Sequence, residues 1–387
     1  MPVALVNGRV LTPAGVIDGQ AVLVEGGKVA AMVPMNAVPA GAERQDLAGG
    51  LLVPGYIDTQ VNGGGGVLFN DAPTAKTIAA IGAAHRAYGT TGFLPTLISD
   101  DLDVVDAALR ATEAAIDQGV PGVLGVHIEG PFLNPKRKGI HDEAKFRVID
   151  EAAIALLSSL KRGKLLLTLA PERTTPEVIA RLAKAGVIVA AGHTNARYET
   201  MRQAIDHGLT GVTHLFNAMS PLTSREPGVV GAVLEDQSVW AGIIVDGRHV
   251  DPVTLKIALR SRPLDRFMLV TDAMPTVGMV DKRFTLQGRE ITVCDGVCVD
   301  DSGTLAGSDL DMAAAVRNAV ATLDLSLADA VMMASAAPAA FLGLSHQRGA
   351  IAPGLAADFC LLDDDLNVAK TWIDGKEINV RKEPLPV

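Results

Sequence analysis

Apolar positions along this chain follow two regimes. From residue 1 to about 50, ALVNGRVLTP, QAVLVEGGKVAAMV and QDLAGGLLVPG alternate apolar with polar residues, broken by NG and GG steps. That is the period of short half-buried strands joined by tight turns. The stretch GAIAPGLAADFCLLDDDLNVAKTWIDGKEI near the other end behaves alike, with a turn at Asp374 and Gly375. Neither end can bury a core alone, so residues 1–51 and 346–387 are expected to meet in one small β-sandwich. The middle of the chain instead alternates apolar runs with amphipathic stretches. The runs Leu52–Asn62, Gly92–Ile98, Val123–Glu129, Leu165–Ala170, Val187–His193, Gly211–Asn217, Trp240–Asp246 and Phe267–Asp272 read as strands. Thr74–Tyr88, Leu102–Gln118, Thr175–Ala185, Tyr198–His207 and Asp251–Ser261 read as helices between them. This repetition predicts an α/β protein whose residues 52–345 form a (β/α)8 TIM-like barrel. A doubly wound sheet is the weaker reading, because Gly63–Gly66 lacks the G-x-G-x-x-G spacing and the Lys and Ser/Thr of a phosphate loop. Past the eighth strand, residues 282–307 read as a hairpin insertion, followed by helices over Asp309–Leu323 and Ser326–Leu342.

Composition agrees with a well-filled interior: of 387 residues 48% are hydrophobic and 20% charged. A formal charge of −10 disfavours nucleic acid as a partner and obliges any anionic ligand to find a local basic patch. Cys294, Cys298 and Cys360 cannot all pair and have no zinc-ribbon spacing, so buried free thiols in a reducing compartment are expected. The opening residues lack a charged start followed by an unbroken apolar core, and no run approaches the ~18 apolar residues of a membrane span. A soluble, cytoplasmic protein without membrane contact is the expectation.

Four side chains carry the candidate chemistry. Glu129 in GVHIEGP, His193 in VAAGHTNA, His214 in GVTHLFNAM and Asp272 in LVTDAM each end an apolar run, where a parallel barrel presents its reacting groups. One carboxylate and two imidazoles make a three-ligand metal site with a position left for water. Asp272 remains as a general base. Among the other histidines, His127 should share the Glu129 strand face one layer deeper, and His141 sits in a loop that could meet a substrate. His85, His207 and His346 read as structural. The pattern therefore points to a metal-dependent hydrolase.

The segments PGYIDTQVNGGGG, GVHIEGPFLN, AGHTNA, THLFNAM, REPG, VDGRHV, VTDAM and GTLAGS run in order through nearly the whole chain. Together they resemble the N-acetylglucosamine-6-phosphate deacetylases of the amidohydrolase superfamily. The resemblance implies hydrolysis of the acetamide of N-acetyl-D-glucosamine 6-phosphate to D-glucosamine 6-phosphate and acetate, in amino-sugar catabolism. It implies Glu129, His193 and His214 as ligands of one divalent ion per subunit, zinc or else iron or another divalent metal, and Asp272 as the catalytic acid and base. Substrate contacts would fall on Ile140, His141, Asn217, Ala218, Arg225, Asp246, His249, Leu305, Ala306 and Gly307. Arg225 and His249 supply the cations a phosphate needs. A homodimer is implied as well, with the loop bearing Arg225 able to reach a neighbour.

One departure from the wider superfamily stands out. Many of its members carry His-x-His after the first strand, and Gln60 and Asn62 hold those positions here. Neutral amides are poorer ligands than imidazole. No lysine ends the fourth strand to bridge two ions, so a single tightly held metal is expected. N-Acetylgalactosamine 6-phosphate differs from the glucosamine substrate at one hydroxyl, and no residue in the sequence excludes it. Dihydroorotase-like cyclic-amide hydrolysis is disfavoured by the missing histidines and lysine. A catalytically silent barrel is disfavoured by the retention of all four chemical groups.

Overall fold

In the computed structural model residues 2–378 are described. Positions 379–387 of the expected C-terminal segment lie outside the described residues, as does Met1. Eight parallel strands form the centre, hydrogen-bonded in chain order. They are β1 (Tyr56–Val61), β2 (Thr90–Ile98), β3 (Gly125–Glu129), β4 (Lys164–Leu169), β5 (Ile188–Ala191), β6 (Leu209–Val212), β7 (Trp240–Ile243) and β8 (Phe267–Leu269). Nearly all their residues are buried and most are apolar, as in KLLLTL of β4, because helices cover one face and side chains fill the barrel from the other, with polar exceptions such as Asp58, Gln60 and His127 inside it.

No ladder joins β8 to β1, and the seam between them closes through side chains and loop backbone. Buried Asp58 of β1 accepts the N–H and hydroxyl of Thr271 as well as the N–H of Gln60. Just beyond, the Asp272 N–H donates to the Gln60 carbonyl at 3.0 Å, and Val61 bridges Ala273. Burial raises the Asp58 carboxyl to about 7. The segments that carry residues 60, 62 and 272 are thereby tied at one corner.

Outside the barrel lie α1 (Ala75–Arg86), α2 (Leu102–Asp117), α3 (Glu151–Leu157), α4 (Pro176–Lys184), α5 (Tyr198–Asp206), α6 (Gly228–Glu235), α7 (Pro252–Ser261), α8 (Met312–Leu323), α9 (Leu327–Ala334) and α10 (Ala336–Phe341). Thr74, Thr175 and Asp251 cap α1, α4 and α7 with side-chain oxygens, and Pro opens both α4 and α7. The sequence pattern anticipated neither α3 nor α6. The first is short, and the second, GVVGAVLE, is buried nearly all round and shows no polar stripe. The single helix expected over Ser326–Leu342 breaks at Ser335, whose φ of −135° and ψ of −68° end α9 before α10 begins.

Both chain ends contribute to a separate β unit. One sheet runs Lys28–Pro34, Gln20–Glu25, Val3–Val6, Glu43–Asp46, all from the N-terminal segment. The other runs Lys376–Ile378, Val368–Ile373, Phe359–Leu362, Leu51–Pro54, Arg9–Thr12, Gly15–Ile17, so the two ends pair directly. Leu5, Val22, Leu52, Phe359 and Trp372 lie in one buried cluster drawn from both sheets and both ends. The run Leu52–Asn62, expected as a single strand, divides at Gly55 between this unit and the barrel. A Cβ at Gly55 would stand 2.2 Å from Thr91 Oγ1, so only glycine lets the chain pass this close to β2.

The insertion over residues 282–307 is larger than a hairpin. Four antiparallel strands, Arg283–Leu286, Arg289–Cys294, Val297–Val299 and Leu305–Ser308, form a meander. Its last strand returns to the barrel mouth, where the Ser308 N–H donates to the Asp272 carbonyl at 2.9 Å. Cys298 and Cys360 are buried free thiols as expected, whereas Cys294 is exposed at a strand end. Among the described residues no helix is long and apolar enough to cross a membrane.

Candidate active site

The strands expected to run into the site residues stop short of them, at Ala191, Val212, Ile243 and Leu269. The reason is local backbone. His193, His214 and Asp272 have φ of 47°, 34° and 54°, a left-handed conformation that no strand can continue and that L-residues rarely adopt. Each therefore sits on the first turn after its strand, with its side chain swung over the barrel mouth. Glu129 alone remains within its strand, at the end of β3.

These turns bring together the residues named from sequence. Glu129 Oε1 is 3.1 Å from His193 Nε2 and 3.0 Å from His214 Nε2, and the two Nε2 atoms are 3.1 Å apart. His193 Nδ1 lies 2.8 Å from the Arg137 carbonyl. A carbonyl can only accept, so Nδ1 carries the proton and Nε2 offers a lone pair. A bare nitrogen and a carboxylate facing one another need a cation between them. All three ligand atoms lie within 4.8 Å of one another, and the cluster can hold a metal ion.

Asp272 lies beside this cluster. Burial and the Glu129 charge raise its pKa from the ordinary carboxylate value, so it takes up a proton more readily than a surface aspartate does. Its Oδ1 accepts from Asn62 Nδ2 at 2.7 Å and from Gln60 Nε2 at 3.0 Å. Gln60 Nε2 also stands 3.3 Å from Glu129 Oε2. The two amides in the His-x-His positions thus face the carboxylates with N–H groups, the end of an amide that no metal accepts.

Beneath the site, His127 is held by Thr96 at 3.2 Å and Thr168 at 2.7 Å, and burial lowers its pKa to about 4. It is a neutral packing residue one layer down, as expected. His141 stands on the rim with its ring centroid 4.3 Å from that of His193. The Ser99 N–H points at His141 Nδ1 from 3.4 Å, and the Ser99 hydroxyl is 2.8 Å away. A backbone N–H only donates, so Nδ1 is the acceptor and Nε2 carries the proton. Burial drops the His141 pKa to about 3, which keeps it neutral. Two neighbouring histidines are therefore fixed in opposite tautomers, one a lone-pair donor and one a hydrogen donor.

A cavity of about 510 Å³ opens over these groups. Of the residues named from sequence it is lined by Ile140, His141, Asn217, Ala218, His249, Leu305 and Gly307, besides Glu129, His193, His214 and Asp272. Ala306 is fully buried behind its neighbours. Asp246 also lies behind, where its Oδ2 meets His249 Nδ1 at 2.6 Å and leaves Nε2 of that ring free for a ligand. Arg225 does not line this cavity. The cavity is lined instead by a cationic run not singled out from sequence, Lys136, Arg137 and Lys138 on the loop after β3. Three consecutive cations close behind the Glu129 motif in an acidic chain were the available signal.

Known proteins bear on this site in a consistent way. Residues 51–378 match the model of the Amidohydrolase family, and residues 3–52 match the NagA composite domain. An N-acetylgalactosamine-6-phosphate deacetylase of Shewanella sp. (strain ANA-3) is 44% identical over 96% of this chain and 94% of its own. The crystal structure of the N-acetylglucosamine-6-phosphate deacetylase from Pasteurella multocida, 35% identical, superposes with a TM-score of 0.94 over 98% of this chain and all of that one. The Mycobacterium smegmatis deacetylase is 34% identical with a TM-score of 0.88, covers 97% of this chain and 98% of its own, and was solved as an aspartate-to-alanine variant holding N-acetyl-D-glucosamine 6-phosphate. With a match spanning most of its length and a site built from its own Glu129, His193, His214 and Asp272, the chain belongs to the amidohydrolase family.

Proposed function

We propose that this chain removes acetate from N-acetyl-D-glucosamine 6-phosphate, releasing D-glucosamine 6-phosphate. The observation that carries the reading is the Glu129–His193–His214 cluster, with a raised-pKa carboxylate beside it, in a cavity rimmed by lysines. The two-nitrogen, one-oxygen donor set suits zinc, and the amide N–H groups of Gln60 and Asn62 argue for one ion per chain. When bound, that ion supplies Lewis-acid chemistry and acidifies the water it holds.

The protein's own groups do the rest. Asp272 takes the proton from the attacking water and returns it to the departing nitrogen, without which the C–N bond does not break. His141 Nε2–H faces the cavity as the donor for the carbonyl oxygen as charge builds there. The cationic loop of Lys136–Lys138 and His249 hold the phosphate, and this remote binding fixes the acetamide over the site. N-Acetyl-D-galactosamine 6-phosphate is a second reading, favoured by the 44% identity to a deacetylase named for that sugar. The residues that do the chemistry are common to both sugars.

The family likeness supports a cytoplasmic homodimer, in which exposed Arg225 reaches a neighbour's cavity rather than its own. Sedimentation of the purified chain tests the dimer, and a monomer would end that part of the reading. The deciding assay is acetate release from the two sugar phosphates and from unphosphorylated N-acetylglucosamine. Strong preference for a phosphorylated sugar supports the proposal, and its stereochemistry decides between the two epimers. Metal-loaded protein that releases acetate from none of the three would refute it.

A further inference from the structure

Asn62 follows the last residue of β1 and lines the cavity beside Asp272, Glu129 and His214, yet it is only 1% exposed. Its orientation is decided by its neighbour. Asp272 Oδ1 lies 2.7 Å from one end of the amide, and a carboxylate oxygen meets only the nitrogen, so Nδ2 faces Asp272. Oδ1 is turned elsewhere, is fully buried, and has no hydrogen-bond partner among the described residues. Gln60 cannot supply one, since its N–H groups are engaged by Glu129 and Asp272. Leaving a buried acceptor without a donor is costly, and such groups in native sites ask for an explanation.

We propose that Asn62 Oδ1 receives the N–H of the scissile acetamide and so turns the leaving nitrogen toward Asp272. The inference rests on the deacetylase reading above and adds to it the residue that recognises the nitrogen. Asp272 Oδ1 is held by the two amides, which leaves Oδ2 to carry the proton. Asn62 and Asp272 line the same cavity and share a hydrogen bond, so a nitrogen that reaches Oδ2 is placed next to the Asn62 side chain. As water adds to the carbonyl, that nitrogen becomes pyramidal. Its lone pair has to face the proton on Asp272, while its own hydrogen needs an acceptor on another side. The C–N bond then breaks with its electron pair going to nitrogen, which takes the Asp272 proton. Asn62 thus holds the base with one end and the group to be protonated with the other.

The test compares two substrates on the metal-loaded enzyme, the N-acetyl sugar phosphate and its N-acetyl-N-methyl counterpart. Both are amides that need a proton on nitrogen, so any loss from a displaced Asp272 cancels in the ratio of their kcat/KM values. Wild type is expected to prefer the N–H substrate by about a hundredfold or more, and Asn62→Ala to shrink that preference by about tenfold, the worth of one hydrogen bond. Asn62→Ser, whose hydroxyl can accept, should keep part of the preference and serves if the alanine variant folds poorly. Metal content should be unchanged in both. A preference that does not move overturns the assignment, including the case in which KM rises equally for both substrates because a ring hydroxyl was the true donor. Wild type that hydrolyses neither amide removes the deacetylase reading and this inference together, a result distinct from an active enzyme with an immovable ratio.

Discussion

In the proposed reaction Asp272 would act through placement as much as through basicity. Two amide N–H groups hold one of its oxygens, burial and Glu129 favour its protonated form, and its backbone is bent to present it. Asp272→Asn keeps the shape and removes the proton carrier. It should retain a full complement of metal and lose about a thousandfold or more in kcat, within the usual range for a general acid–base. Elemental analysis beside steady-state kinetics checks this, and near-wild-type turnover would sink the role. The loop cations lend themselves to a sharper contrast. Replacing Lys136 and Lys138 together by alanine should raise KM for a phosphorylated sugar by tenfold or more and leave an unphosphorylated one nearly untouched. Equal losses on both sugars would deny the loop its phosphate role.

At the scale of elements, a buried imidazole hydrogen-bonds α1 to the glycine-rich turn after β1. His85 on α1 meets the Gly63 carbonyl at 2.9 Å and is fully buried. Burial lowers its pKa from 6.5 to about 4. A group whose folded pKa is depressed below its unfolded value favours the fold while neutral. The contribution is complete above pH 6.5 and falls away as pH drops toward 4, by about 3 kcal/mol in all. His85→Gln should flatten that part of the acid limb, as read by denaturant titrations at pH 7 and pH 4.5. A variant that loses stability with acid as steeply as wild type would disprove the link.

The same scale shows where sequence is and is not informative. Barrel strands and the amphipathic helices were legible, since burial of one or both faces leaves a period in the residues. Helix α6 left none, being apolar all round, and α3 is too short to show one. The turns at His193, His214 and Asp272 were legible as chemistry but misread as strand, because apolar residues continue past the point where the backbone reverses its hand. Gln60 and Asn62 were seen as poor ligands. Their service as donors to Asp272 depends on β1 meeting the far end of the barrel, a contact about 210 residues distant. No local pattern records such a meeting.

For the whole molecule, the β unit is a clasp made from the two ends of the described chain. Leu51–Pro54 pairs with Arg9–Thr12 on one side and with Phe359–Leu362 on the other, and then runs directly into β1. Ending the chain at residue 345 would strip Phe359 and Trp372 from the shared core and bare a long apolar edge. Such a truncation should be insoluble although Glu129, His193 and His214 are all retained. A soluble, monodisperse product carrying metal would show the barrel to be independent of its clasp. The seam between β8 and β1 is a second point of dependence. Asp58→Ala would leave two backbone N–H groups without their acceptor and the Thr271 hydroxyl with only the Gln60 carbonyl, and should lower unfolding free energy by about 2–4 kcal/mol.

The left-handed residues at 193, 214 and 272 have a consequence for how this protein would age in a lineage that no longer needed its reaction. Each holds an unfavourable backbone conformation that glycine, or to a lesser degree asparagine, occupies with less strain. Selection for catalysis and selection for a sturdy fold pull in opposite directions at these positions. Once the first is relaxed, drift toward smaller residues there meets little resistance from folding, while the clasp and the barrel core stay under constraint. In such a lineage the loss of the reaction would show first at these three turns, ahead of any change in the clasp or the barrel core.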